Sequence, residues 1–144
     1  MNTFNTLIGK TLTAFLVIFG LATCGAVIFA IDAEWGRTVA FKGLVTIDPT
    51  AVPAIRHWGM MVFSIGVLMI AAAFLPWLRF STMLYSMIEK AFMVYLYVSN
   101  VSHDWSAAYL AGSVIDATIV IYSILYFISS HGRPQRWRSA SVPS

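Results

Sequence analysis

The 144-residue chain is predicted to be an all-α, polytopic membrane protein, a four-transmembrane-helix up-down-up-down bundle. Apolar residues make up 59% of the chain and charged residues only 10%, whereas soluble chains average about 25% charged residues. A soluble fold of this size would need more charge to wet its surface. Four stretches can also cross a hydrocarbon core of about 30 Å, which takes about 20 helical residues. The whole chain, 1–144, is therefore expected to form one integral membrane domain.

The first predicted span covers about 7–31, and Lys10 is its only charge. The run is too long for the apolar region of a signal peptide, so we expect an uncleaved helix. The second span covers about 55–78. Pro76 near its end lacks a backbone donor and can kink or close the last turn.

The third predicted span, about 80–102, is interrupted by Glu89 and Lys90, and the fourth, about 106–130, only by Asp116. Connections of about 3 and 5 residues join the last three spans, and such short connections force antiparallel neighbours. The spacing thus predicts that helices two, three and four run up, down and up beside one another.

Only the first connection, 32–54, is long, at about 25 residues. Apolar and charged residues alternate irregularly in it, which is typical of a segment that lies along the membrane interface. Pro49 and Pro53 are expected to end this segment before the second helix begins. The C-terminal tail, 131–144, is polar.

Lysine and arginine counts near the spans predict the orientation, because cytoplasmic loops carry an excess of both. The predicted spans divide these residues between two sides, and the larger group lies with both termini. That group is Lys10, Arg79, Arg133, Arg136 and Arg138, against Arg37, Lys42 and Arg56 on the other side. We therefore expect both termini in the cytoplasm.

The charges inside the spans are the first candidate site. Counted from the turn between the third and fourth helices, Lys90 and Asp116 lie at depths that differ by only about 3 Å. A lone charge at mid-membrane is costly, so we predict that these two pair. Glu89 is about 100° from Lys90 on the helix and is expected to turn toward Ser86, Asn100 or another helix. The pair is either structural or part of an ion or proton path.

A polar cluster at the outer interface is the second candidate site. It comprises Arg56 and His57 at the start of the second helix, and His103 and Asp104 in the last turn. A metal or haem site is conceivable here, but isolated histidines match metal motifs poorly. We expect an interfacial lattice in which Arg56 pairs with Asp104. No metal ligand set is predicted.

Small residues form two possible packing faces, since close approach on small side chains drives helix association in membranes. Gly20 and Cys24 form one face on the first helix, and Gly59, Gly66 and Ala73 form the other on the second. Packing within the chain and docking of another subunit both remain open. The single cysteine also excludes an internal disulfide.

The middle of the chain resembles a known family over about 50–130. The resemblance is carried by Arg56-His57-Trp58-Gly59, Gly66, Ala71-Ala72-Ala73-Phe74-Leu75-Pro76-Trp77-Leu78-Arg79 and Glu89-Lys90-Ala91-Phe92. These residues look like the BphX-like group, small bacterial four-helix membrane proteins broadly similar to DoxX-type chains. The resemblance implies a bacterial inner (cytoplasmic) membrane protein. It implies no activity and no catalytic residues.

The function we predict is that of a non-catalytic membrane subunit that packs against and stabilises a larger complex, such as an oxidative or electron-transfer complex. A proton- or ion-coupled transporter using Glu89 and Asp116 is the alternative. A redox or lipid-modifying enzyme using His57, His103 and Asp104 is a second. No cofactor is predicted, although haem and quinone stay open. The expected partners are the lipid bilayer and other membrane subunits or further copies of the chain, and no nucleic acid.

Overall fold

The computed structural model describes the backbone of residues 3–131 and the side chains of 5–130, and this part of the chain is all-α. The predicted polar tail lies outside the described residues, apart from the backbone of its first residue. The helices are α1 (Thr3–Cys24), α2 (Val27–Ile31), α3 (Ala33–Phe41), α4 (Val52–Phe74), α5 (Arg79–Ser99) and α6 (Leu110–His131).

Three segments of the described chain are long and apolar enough to cross a membrane: Asn5–Ile31, Pro49–Phe74 and Asp104–Ser130. They correspond to the first, second and fourth predicted spans. The third predicted span is present as the 21-residue helix α5 but is not among them. The charges that enter α5, Glu89 and Lys90 among them, lower its apolar character.

The first two helices differ from the predicted bounds. The first span breaks at Gly25 and Ala26, whose N–H groups donate to carbonyls three residues back, and α2 then continues it. Glycine is among the weakest helix formers, which accounts for a break at this point. Pro53 does not end the preceding loop as predicted but lies in the first turn of α4. Proline is tolerated there because the first N–H groups of a helix have no partner within it.

The predicted interfacial segment contains a helix of its own, α3. The Asp32 carboxylate caps it by accepting from the N–H groups of Glu34 and Trp35, at 2.8 and 3.0 Å. The helix ends where Lys42 and Gly43 take up positive φ angles of 49° and 73°. The first connection is thus folded rather than extended.

The α4–α5 turn is shaped by Pro76, which follows the end of α4 and cannot continue its hydrogen bonds. Arg79 closes the turn. Its Nε donates to the carbonyl of Ala72 at 3.0 Å and its Nη2 to that of Ala73 at 2.9 Å, which satisfies two of the last carbonyls of α4. The α5–α6 connection is longer than predicted, because a 3₁₀ segment, Asp104–Tyr109, precedes α6.

The four long helices contact one another in a ring: α1 against α4, α4 against α5, α5 against α6, and α6 against α1. The core lies at the centre of this ring, and its largest fully buried members are Leu16, Met69, Met83 and Ile119, one from each long helix. We call the end of the bundle at Leu75–Leu78 the hairpin end. The end at α3 and Asp104–Tyr109 is the α3 end.

The outside of the bundle is unlike that of a soluble bundle, although both have an apolar core. Large apolar residues cover the outside of every long helix, for example Ile18, Phe74, Phe92 and Ile121, each more than half exposed. Polar residues are buried inside, among them Thr82, Ser86, Lys90 and Ser123. This arrangement suits a bundle that is surrounded by lipid.

Candidate functional site

The site is built where α5 and α6 lie side by side. The two helices are antiparallel neighbours, and near the hairpin end the Phe80 and Phe127 rings meet edge to face with centroids 5.4 Å apart. Ten residues further along α5 and eleven residues back along α6, this register brings Lys90 beside Asp116. Both helices advance about 1.5 Å per residue, so the match in depth follows from the register.

Lys90 is the centre of a three-residue charge cluster, defined as Glu89, Lys90 and Asp116. Its Nζ lies 3.0 Å from Oε2 of Glu89 and 3.4 Å from Oδ1 of Asp116. The Lys90 side chain is only 5% exposed, that of Asp116 14% and that of Glu89 22%. The structure therefore has the Lys90–Asp116 ion pair that the depth argument predicts.

The position of Glu89 corrects the prediction. Adjacent residues were expected to point to different places, yet Oε2 of Glu89 lies 3.0 Å from the same ammonium group. Glutamate has three side-chain torsions, and this reach is long enough to cover an offset of about 100° on the helix. Asn100, one of its predicted partners, instead donates from Nδ2 to the carbonyl of Leu96 at 2.8 Å.

The cluster carries two acids and one base, so its formal charge is −1 when all three groups are ionised. Oε2 of Glu89 is buried and meets the distance of an ion pair, but it accepts no hydrogen bond of good geometry within the described residues. An uncompensated charge in a medium of low dielectric is costly. The cluster can therefore do two things chemically: it ties α5 to α6, and it can take up one proton.

The predicted polar cluster at the outer interface does not form as one unit. Nε of Arg56 donates to the carbonyl of Ala30 at 2.9 Å, and no ion pair joins Arg56 to Asp104, although both side chains are described. The expected pair is therefore wrong, because α2 offers Arg56 a nearer acceptor. His103 stacks on Trp105, with centroids 5.3 Å apart. The described residues contain no group of three or more His, Cys, Asp or Glu side chains placed to hold a metal ion.

The two small-residue faces pack against each other inside the chain. A Cβ added at Gly66 would lie 2.7 Å from the backbone N of Cys24 and 2.7 Å from the carbonyl O of Gly20. A Cβ added at Gly59 would lie 2.8 Å from the backbone N of Ala30. The backbones of α1 and α2 thus approach α4 directly. Ala73, the last residue of the predicted stripe, belongs to the buried core.

Two polar features of the site region were not foreseen from the sequence. Arg79 caps α4 rather than serving only as an orientation signal. The phenol of Tyr122 on α6 lies 2.8 Å from the Thr11 hydroxyl on α1, and its ring stacks on Phe15. The capping of α4 by Arg79 could have been predicted from the sequence, because an arginine directly follows a turn that contains proline. The contact of Tyr122 with Thr11 depends on how α1 and α6 pack together, which no local sequence pattern indicates.

Comparison of the chain with family models, with curated proteins and with solved structures finds no match.

Proposed function

We propose that the chain is a non-catalytic integral membrane subunit that packs against and stabilises a larger membrane complex. In this proposal all four long helices span a bacterial inner membrane, up-down-up-down, with both termini in the cytoplasm. The lysine and arginine count and the resemblance to the BphX-like group support that placement. Reporter fusions at Ser144 test the orientation, and a periplasmic signal would contradict it.

The outer face of α5 carries the proposal. This helix is the long one that falls short of the apolar character of a span, yet it presents large apolar side chains outward. Ile88, Phe92 and Tyr95 are each about 60% exposed along it. Its lysine and glutamate make the free energy of inserting α5 into lipid less favourable than that of the other long helices. Contact with a protein helix on this face would therefore stabilise α5.

The charge cluster is consistent with a structural role. Lys90 forms ion pairs with Glu89 and Asp116 of its own chain, and both acids are at least partly buried. Intramembrane charges that pair within a bundle fix the positions of its helices. A subunit that must present α5 in one orientation would benefit from this tie to α6.

The test is the mass of the native particle. We expect gentle detergent extraction from native membranes to give a complex larger than one chain. Replacing Phe92 by Ala together with Ile88→Ala on the proposed face should release the chain as a monomer. Ile121→Ala with Ile128→Ala, two equally exposed residues on α6, is the matched control and should leave the complex intact. A wild-type chain that runs alone as a monomer would refute the proposal.

A second candidate, proton- or ion-coupled transport, is favoured by one observation. Oε2 of Glu89 is buried and accepts no hydrogen bond from the residues that the structure describes, and the cluster holds one acid more than it has bases. A site that is one proton short of neutrality can alternate between two charge states. In proteoliposomes, Glu89→Gln and Asp116→Asn should then each abolish flux, and flux unchanged by both would exclude this candidate.

A further inference from the structure

The charge cluster lies near the middle of α5, so a proton that reaches it must cross part of the bundle from one end or the other. Lys90 is eleven residues from Arg79, the first residue of α5, and nine residues from Ser99, the last. At about 1.5 Å per residue, each path covers about 15 Å. The side chains along the two paths differ.

Buried hydroxyl groups line the path from the hairpin end. Thr82 and Ser86 precede Lys90 by eight and four residues, which places them on one face of α5, and both are buried. On α6, Ser123 is fully buried and lies seven residues from Asp116 on the side of the hairpin end. We call Thr82, Ser86 and Ser123 the hydroxyl row. It offers polar groups at intervals of about one helical turn.

Ser86 of the hydroxyl row has a buried oxygen without a partner. Within the described residues three buried side-chain oxygens take part in no hydrogen bond: Oγ of Ser86, Oε2 of Glu89 and Oγ1 of Thr23. Ser86 precedes Glu89 by three residues, so the two oxygens on α5 lie on one face of that helix. A buried polar atom without a partner costs free energy. A water molecule between Ser86 and Glu89 would give both oxygens a partner.

Aromatic rings cover the α3 end. Ring centroids lie 5.4 Å apart between Trp58 and Phe29, and 5.4 Å apart between Phe29 and Phe41. The contacts continue from Phe41 to Tyr109 at 4.7 Å, and from Tyr109 to Trp105 at 5.8 Å. These five rings, which we call the aromatic cap, join α4 through α2 and α3 to the 3₁₀ segment before α6. Phe29 in this row is only 4% exposed.

The helix faces between the charge cluster and the aromatic cap carry fewer polar groups than those toward the hairpin end. On α5, the residues one and two turns beyond the cluster are Met93, Val94 and Tyr97. On α6, Ser113 lies one turn from Asp116, and Tyr109 of the cap lies one turn further. Water and protons therefore meet a more polar path from the hairpin end than from the α3 end.

The charge of this region is set by the cluster itself. Within the described chain, the ion pairs of Lys90 join only members of the cluster. Tyrosine and cysteine side chains are ordinarily neutral at about pH 7. The next titratable side chains on α5, and on the elements that pack against α5 and α6, are Tyr85, Tyr97, His57, Cys24, Tyr109 and Tyr122.

We propose that the charge cluster takes up one proton from the hairpin-end side of the membrane only. The proton moves through water held by the hydroxyl row to a carboxylate of Glu89 or Asp116, which brings the formal charge of the cluster from −1 to zero. The aromatic cap closes the path to the opposite side. The inference goes beyond the proposed subunit role and shares with it only the placement of the bundle in a membrane, because a structural subunit can exchange this proton as well.

The first test measures the side from which the cluster is protonated. Protein is reconstituted in vesicles in one orientation, the pH is lowered stepwise on one side, and infrared difference spectra record the carboxylic-acid band. The other four acidic side chains lie at the α3 end, so a side-chain signal evoked from the hairpin end belongs to the cluster. Those four are Asp32, Glu34, Asp48 and Asp104.

The signal of the cluster is identified by substitution. Glu89→Gln or Asp116→Asn should each abolish it, because either change leaves a neutral cluster. We expect the part of the band that Glu89→Gln removes to appear when the pH falls on the hairpin-end side, and not when it falls on the α3-end side. Equal uptake from both sides, uptake from the α3 end alone, or no such band while the protein stays folded would overturn the proposal.

The second test alters the hydroxyl row. In Ser86→Ala we expect proton uptake from the hairpin end to be about threefold to tenfold slower, the effect of one hydrogen bond on a barrier. Ser64→Ala is the control and should keep the wild-type rate, because the Ser64 hydroxyl is on the exposed side of α4 and donates to Met60 O at 2.9 Å. Equal rates in Ser86→Ala and wild type would contradict the row as the entrance.

The third test opens the aromatic cap. Phe41→Ala removes a central ring and should admit protons from the α3-end side as well. Trp35→Ala removes a half-exposed ring of α3 outside the cap and should leave uptake one-sided. Uptake that stays one-sided in Phe41→Ala would overturn the role of the cap. If Phe41→Ala fails to fold, the sidedness of wild type and the rate of Ser86→Ala still decide the matter.

Discussion

Two seams of this bundle, α1 against α4 and α5 against α6, are both close but are held by different physics. At the first, glycines let the backbones touch: a Cβ at Gly66 would lie 2.7 Å from the Gly20 carbonyl. At the second, long side chains bridge the helices through Lys90 and Asp116, 3.4 Å apart. In lipid there is little hydrophobic drive between helices, so each seam needs such a device.

The difference between the seams lies in what each tolerates. The glycine seam depends on volume, because a Cβ added at Gly66 would meet two backbone atoms, Cys24 N and Gly20 O, which cannot move aside cheaply. The charged seam depends on the balance of positive and negative charge, because burying a charged group without its partner costs free energy. It depends less on volume, because its flexible side chains can adjust to small changes of shape. Substitutions that change only charge, or only volume, should therefore affect the two seams differently.

The largest effect is expected at Lys90. Lys90→Met keeps most of the volume but leaves Glu89 and Asp116 without a cation, so we expect a loss of about 3–5 kcal/mol in the free energy of unfolding. Lys10→Met removes an exposed lysine of α1 and is the control. Unfolding in mixed micelles by a denaturing detergent measures both. A loss at Lys90 no greater than at Lys10 would show that the cluster does not hold the seam.

The next effect concerns volume. Gly66→Ala should destabilise the bundle by about 1–3 kcal/mol, because the new methyl group would meet two backbone atoms of α1, Cys24 N and Gly20 O. Gly112→Ala on α6 is the matched control, since a Cβ there meets nothing within 4 Å. In a helix that exchange should stabilise by about 0.5–1 kcal/mol. The same unfolding assay should give opposite signs, and equal losses would contradict the close approach at Gly66.

A smaller effect separates the two acids of the cluster. Asp116→Asn should cost about 1–3 kcal/mol, less than Lys90→Met, because Glu89 still lies 3.0 Å from the ammonium group. Glu89→Gln should cost less again, because it leaves the tie between α5 and α6 in place and brings the cluster to neutrality. A greater loss from Glu89→Gln than from Asp116→Asn would place the essential pair within α5 instead of between the helices.

Much of the fold could be predicted because it rests on hydropathy and depth. The apolar runs mark the helices, and counting from the last turn places Lys90 opposite Asp116. The position of Glu89 could not be predicted from helical angles, because its torsions decide where the carboxylate lies. The glycine spacing marks two packing faces, but it does not say that they face each other.

Two further misses, the bounds of the first helix and the partner of Arg56, share one cause. Arg56 bonds to Ala30 because α2 exists, and α2 exists because the first helix breaks at Gly25. A one-dimensional pattern shows an uninterrupted apolar run at this point. The break therefore changed both the helix bounds and the polar partners at the α3 end, and the aromatic cap likewise appears only once the helices are packed.

The smallest effect is expected outside both seams, just before α4. The Asp48 carboxylate accepts from the hydroxyl of Thr50 at 2.6 Å and from its N–H at 2.8 Å, and these hydrogen bonds lower the pKa of Asp48 below its ordinary value of 3.8. A carboxyl group whose pKa is lower in the folded state stabilises the fold above its unfolded pKa, and this stabilisation is lost as pH falls through the folded pKa. The melting temperature of wild type should therefore fall slightly more than that of Asp48→Asn when the pH is lowered below 3.8. Because the carboxylate is fully exposed, the difference should be small and should shrink in high salt. Identical pH profiles for the two proteins would show that the turn ahead of α4 forms without this cap, and would leave the α1–α4 seam as the feature that sets the position of that helix.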